Sequence, residues 1–165
     1  MTDPRPTIRP IALDPASLDR VSGGSERDGS LPPEYGREIN GTDGRDVIFG
    51  GSGDDTIASG ADDDYVRGGQ GADLVDLGAG DDRMEWNPFT GNDTVQGGEG
   101  TDTLILSMYD ISTEDLLAAI NPAPGSPGPF VDENGMISLA GVSGTISIGD
   151  STLTFSGFER IFVNA

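Results

Sequence analysis

The sequence predicts an all-β fold: a solenoid of very short stacked strands, followed by a β-rich cap with one short helix. Three observations predict it. An Asp recurs about every nine residues through the middle of the chain. A Gly stands two positions before nearly every one of these Asp residues, and an apolar residue stands two positions after each.

The Asp series is Asp46, Asp55, Asp64, Asp73, Asp82, Asp93 and Asp102, with spacings of nine, nine, nine, nine, eleven and nine. Aligned on it, the units are GTDGRDVIF, GGSGDDTIA, SGADDDYVR, GGQGADLVD, LGAGDDRME, PFTGNDTVQ and GGEGTDTLI. Trp86 and Asn87 are inserted between the fifth and sixth units. Position six is always Asp. Position four is Gly except at Asp62. Position eight is Ile48, Ile57, Val66, Val75, Met84, Val95 or Leu104. Three columns kept in register over seven units mark a true repeat.

Each column has a physical reading. Gly at positions one, two and four permits positive φ and close approach of backbone to a ligand, so the first six residues form a tight loop. Asp62 tolerates the left-handed region better than most residues do. The last three residues make a short strand whose middle side chain points inward, with mixed residues such as Thr56, Arg83, Asp76 and Glu85 on the outer face. One apolar residue in nine makes no core alone, but stacked units align these residues into an aliphatic ladder.

Composition narrows the chemistry. The 165 residues carry 29 Asp and Glu against 9 basic residues, all of them Arg, for a formal charge of −20. Such a charge disfavours nucleic acid and anionic membranes as partners. Cys and His are both absent, which excludes disulfides, the usual zinc sites and a His base. Oxygen ligands remain, and they suit hard cations. Residues 41–105 hold fifteen Asp and Glu against Arg45, Arg67 and Arg83. Stacking the loops gathers these carboxylates, and a divalent ion between loops would relieve their repulsion.

The units GGSGDDTIA, GGQGADLVD and GGEGTDTLI resemble the calcium-binding nonapeptide of the RTX (hemolysin-type) proteins. The resemblance implies a parallel β-roll over 41–106, with loops alternating between two edges and several Ca2+ ions. Each ion would lie between a loop and the loop two units later. The earlier loop would offer carbonyls at positions two and four plus its Asp, the later loop carbonyls at one and three plus its Asp. One site then joins Gly51, Gly53 and Asp55 to Gly68, Gln70 and Asp73. Another joins Thr42, Gly44 and Asp46 to Ser59, Ala61 and Asp64. A third joins Gly60, Asp62 and Asp64 to Leu77, Ala79 and Asp82. The remaining pairs cross the insertion and bring in Gly69, Gly71, Gly78, Gly80, Asp93, Gly97, Glu99 and Asp102, although PFTGNDTVQ lacks the leading glycines. The resemblance also implies secretion through an ABC-type exporter and folding outside the cell, where affinities on the order of 10⁻⁴–10⁻³ M suffice. It names no extracellular binding partner.

The flanks read differently. Residues 1–40 are rich in Pro, Arg and Asp without helical or strand periodicity, which predicts a disordered N-terminus. Within it, Leu13, Leu18 and Val21 before Gly23-Gly24 resemble a double-glycine export leader over 1–24, although Pro15 interrupts the usual helix. Residues 25–40 then form a flexible linker. Beyond the repeats, 107–165 make the cap. Ser112-Thr-Glu-Asp115 resembles a capping box opening a helix, and MISL, TISI and LTF read as strands. The ending around Phe155–Val163 resembles segments that follow RTX blocks, and it also suits an uncleaved export signal. The sequence reads as a secreted calcium-binding module rather than an enzyme, since HExxH and Gly-x-Ser-x-Gly are absent and the repeat accounts for acid pairs such as Asp81 and Asp82. The alternatives are a calcium-dependent folding and export appendage of a larger secreted effector or adhesin and, residually, an extracellular enzyme acting through the C-terminal strands. No apolar run suits membrane insertion.

Overall fold

The computed structural model describes residues 21–22, 36–107 and 111–164. The predicted linker up to residue 35, and all of the predicted leader except Val21–Ser22, lie outside the described residues.

Nine strands form the roll: β1 (Val21–Ser22), β2 (Glu38–Thr42), β3 (Val47–Ser52), β4 (Thr56–Gly60), β5 (Tyr65–Gln70), β6 (Leu74–Asp76), β7 (Arg83–Trp86), β8 (Asp93–Gln96) and β9 (Thr103–Ser107). Successive strands alternate between two sheets, in orders β2-β4-β6-β8 and β1-β3-β5-β7-β9, with every pair parallel. One coil is therefore two nonapeptides. The strands run longer than three residues because the leading residues of the next unit often stay paired with the next coil, as Gly51 and Ser52 of β3 do with Gly69 and Gln70.

The ladder forms as the period demands. Burial alternates along the strands, and β6 shows it most simply, with Val75 buried between exposed Leu74 and Asp76. In one sheet Ile39, Ile57, Val75 and Val95 stack in register; in the other Ile48, Val66, Met84 and Leu104 do. Each is at most 3% exposed, a burial that contributes about 1.5–3 kcal/mol per side chain. Ile39 lies ahead of the repeat at Gly41. It stands nine residues before Ile48, so the roll takes up a partial unit at its N-terminal end.

The cap holds α1 (Thr113–Ala119), β10 (Ile120–Pro122), β11 (Phe130–Val131), β12 (Ile137–Ser138), β13 (Gly144–Ile148), β14 (Ser151–Ser156) and β15 (Arg160–Asn164). Ser112 caps α1 as its sequence suggests, accepting from the Asp115 N–H at 3.0 Å. The cap continues both sheets. Strand β14 lies parallel on β8 and β15 parallel on β9, adding Phe155 and Ile161 to the two ladders. Strands β13 and β10 then extend one sheet antiparallel, and β12 and β11 the other. Between the sheets Leu116, Leu139, Val142, Ile146, Leu153 and Phe158 bury the end of the roll.

Candidate metal centre

The Asp of position six is buried in every unit, at most 4% exposed. Its placement follows from stacking. One carboxylate oxygen accepts the backbone N–H of the column residue two units earlier: Asp64 from Asp46 at 2.7 Å, Asp73 from Asp55 at 2.9 Å, Asp82 from Asp64 at 2.7 Å. Asp93 and Asp102 accept from Asp73 and Asp82 at 2.9 Å each. The column is thus a chain of backbone-to-carboxylate bonds along each edge of the roll.

The second oxygen is the informative one. Asp46 Oδ1 and the Oδ2 atoms of Asp55, Asp64, Asp73, Asp82 and Asp102 are buried without any hydrogen-bond partner. Buried charge without a partner is costly, so these oxygens call for a cation or a proton. Burial pushes Asp64, Asp73 and Asp82 up to about 6; the accepted N–H offsets part of the rise, and neighbouring carboxylates add to it. Asp55, Asp93 and Asp102 are raised as well, again chiefly by burial.

Carbonyl oxygens face the same gaps. A Cβ placed on Gly50 would fall 2.2 Å from the Gly68 carbonyl oxygen and 2.6 Å from Asp55 Oδ2. At Gly41 the neighbours are Ser59 O at 2.0 Å and Asp46 Oδ2 at 2.8 Å, there the oxygen that Thr42 already engages. Only a residue without a side chain leaves this space open. The carbonyls of positions two and four face the later loop: Gly51 O and Gly53 O lie 2.1 and 2.2 Å from where Cβ atoms on Gly69 and Gly71 would sit. Some of these carbonyls also bond loop to loop, as in Ala61 N to Thr42 O at 3.2 Å and Ala79 N to Gly60 O at 3.1 Å. Each keeps a second lone pair. Among the described residues no three acidic side chains converge on one point, so carbonyls must complete any cation's shell.

The structure brings the sequence-predicted groups together loop by loop. Thr42 caps its own loop, its hydroxyl reaching Gly44 O and Asp46 Oδ2. Ser59 donates its buried hydroxyl to Leu77 O at 2.7 Å, and Asp62 takes φ 70° at the position where other units have Gly. Gln70 pairs with Ser52 between β3 and β5. Gly44 has ordinary φ, and a Cβ there would meet only Thr42 Oγ1, at 3.9 Å, so its glycine is not sterically required. Gly69, Gly71, Gly78 and Gly80 all take positive φ. The insertion is absorbed locally, since Gly98 and Gly100 still stack on Gly78 O and Gly80 O, and Glu99 N reaches Gly78 O at 2.8 Å.

The family model of the RTX calcium-binding nonapeptide repeat, in four copies, matches residues 38–66, 49–84 and 90–107. The chain carries RTX calcium-binding repeats. Its repeats bind Ca2+, and their number implies several ions. Among curated proteins, no sequence matches this RTX chain.

Three residues that the sequence reading left out shape the ends and middle of the RTX column. Trp86, the first inserted residue, is buried at 1% and donates its indole N–H to Asp93 Oδ2 at 2.7 Å. Asp93 alone in the column thereby has both oxygens engaged. Arg37 occupies position six of the partial first unit: its N–H donates to Asp55 Oδ1 at 2.7 Å, and its guanidinium donates to Gly50 O at 3.0 Å. At the far end Glu159 Oε2 accepts from Asp102 N at 2.6 Å. Arg37 stands nine residues before Asp46, a signal the sequence did contain; Glu159 lies 57 residues past Asp102 and had none.

Proposed function

We propose that this RTX protein is a secreted, non-catalytic calcium-binding module whose roll folds when calcium meets the column carboxylates after export. The observation that carries this reading is the row of six buried carboxylate oxygens without partners. Calcium, when bound, supplies positive charge and accepts a flexible shell of six to eight oxygens. The chain's part is to present them. Asp55 and Asp73 supply carboxylates, Gly51 and Gly53 carbonyls from the earlier loop, and Gly68 and Gln70 carbonyls from the later one. The Asp46–Asp64 and Asp64–Asp82 pairs, with Thr42, Gly44, Ser59, Ala61, Gly60, Asp62, Leu77 and Ala79, repeat the arrangement. Across the insertion, Gly78, Gly80 and Asp82 face Gly97, Glu99 and Asp102.

Without a cation the stacked loops repel, so binding free energy becomes folding free energy. That coupling suits a chain that crosses an ABC-type exporter unfolded and meets abundant calcium outside. Secretion is supported by the RTX family match; among the described residues no helix is long and apolar enough to cross a membrane.

Far-UV circular dichroism tests the reading, with calcium titrated at fixed ionic strength and magnesium as control. A cooperative gain of β signal near millimolar calcium, absent with magnesium, is the expected result. A chain already fully folded in chelator would remove calcium as the trigger.

A further inference from the structure

The turn between β14 and β15 reproduces the two ends of a repeat loop, with Gly157 at position one and Glu159 at position six, although one residue lies between them where a repeat has four. In the repeats, the N–H of position seven donates to the carbonyl of the column Asp two units earlier, as Arg83 N does to Asp64 O at 2.9 Å and Thr103 N to Asp82 O at 2.9 Å. Arg160 N reaches Asp102 O at 3.4 Å, sharing it with Glu159 N at 3.1 Å, and Ile161 pairs with Leu104. This register puts Glu159 at position six. Its carboxylate accepts from Asp102 N at 2.6 Å, the bond that Asp102 itself accepts from Asp82 N at 2.9 Å.

The cradle is copied too. A Cβ on Gly97 would fall 2.6 Å from Asp102 Oδ2 and 2.0 Å from Gly157 O. The corresponding distances at Gly50, inside the repeats, are 2.6 Å to Asp55 Oδ2 and 2.2 Å to Gly68 O. Gly157 reaches its position with φ 72°, open to glycine at little cost. Asp102 is fully buried, and its Oδ2, aimed into this space, has no hydrogen-bond partner.

We propose that the cap completes an additional calcium site, between the loop Gly97–Asp102 and the turn Gly157–Glu159, with Asp102, Glu159 and the Gly157 carbonyl among its ligands. The proposal rests on the reading of the column carboxylates as calcium ligands. An all-oxygen donor set on stacked backbone suits calcium better than magnesium, which demands a compact octahedron. Such a site fastens cap to roll, so the cap docks firmly only in calcium. The competing role for Glu159 is to satisfy the Asp102 N–H and nothing more. Gln retains that acceptor and lacks the charge, so it separates the two.

Native mass spectrometry of the full chain in saturating calcium counts the ions. Glu159→Gln is expected to hold one ion fewer than the parent, and Glu159→Asp the parent's number. An unchanged count in Glu159→Gln overturns the cap site and leaves the repeat sites standing. A parent chain that holds no calcium overturns the repeat reading itself. Should Glu159→Gln fail to fold, calcium anomalous density in crystals of the parent decides. A peak beside Asp102 and Glu159 supports the site; ions in the repeats with none there overturns it.

Discussion

At the scale of the residue, the division of labour within one Asp carboxylate explains the repeat. One oxygen is spent on a backbone N–H, which fixes the side chain, and the other is left facing carbonyls in a buried gap. Asp55 and Asp73 stand across one such gap, so Asp55→Ala or Asp73→Ala should raise the calcium midpoint for folding by roughly tenfold or more, the scale on which groups at metal sites act. Calcium titrations followed by circular dichroism read this directly, and unchanged midpoints in both variants would remove the Asp55–Asp73 site. The Asp column itself was legible because its spacing is nearly constant. Trp86 was not: an inserted residue breaks the period, and only the fold shows that its indole closes the open oxygen of Asp93. Arg37 escaped notice because it carries the opposite charge to the column it joins, although Ile39 two residues on keeps the ladder period.

At the scale of the element, a strand of three residues holds its place through one inward side chain. Val75 lies between Ile57 and Val95 and is 1% exposed, whereas its neighbour Leu74 is 52% exposed on the outer face. Val75→Asp should therefore prevent folding even in saturating calcium, since burying an unpaired charge costs several kcal/mol. Leu74→Asp should fold with a nearly unchanged calcium midpoint. Circular dichroism of the pair tests the register itself: a folded Val75→Asp, or an unfolded Leu74→Asp, would reverse the assigned faces. The roll strands could be read in advance because period two and period nine coincide at position eight. The cap strands could be located but not ordered. Strands β14 and β15 rejoin the roll some fifty residues after the strands they pair with, and that pairing leaves no spacing in the sequence.

At the scale of the whole molecule, charge decides which state exists. The chain carries −20, and its column carboxylates have pKa values raised in the folded state, to about 6 at Asp64, Asp73 and Asp82. A carboxyl whose folded pKa lies above its unfolded value binds protons more readily when folded. Its stabilisation is complete below the unfolded value, about 3.9, and is lost as pH rises through about 6. In chelator, then, the chain should become more stable as pH falls from 7 towards 4.5, with protons taking over part of the neutralising role of calcium. In calcium the sign reverses, because protons compete with the ion for the same oxygens and the calcium midpoint should rise on acidification. Thermal melts across this pH range, with and without calcium, test both directions on one sample. A melting temperature that falls on acidification in chelator would show that the unpartnered oxygens do not limit the metal-free fold.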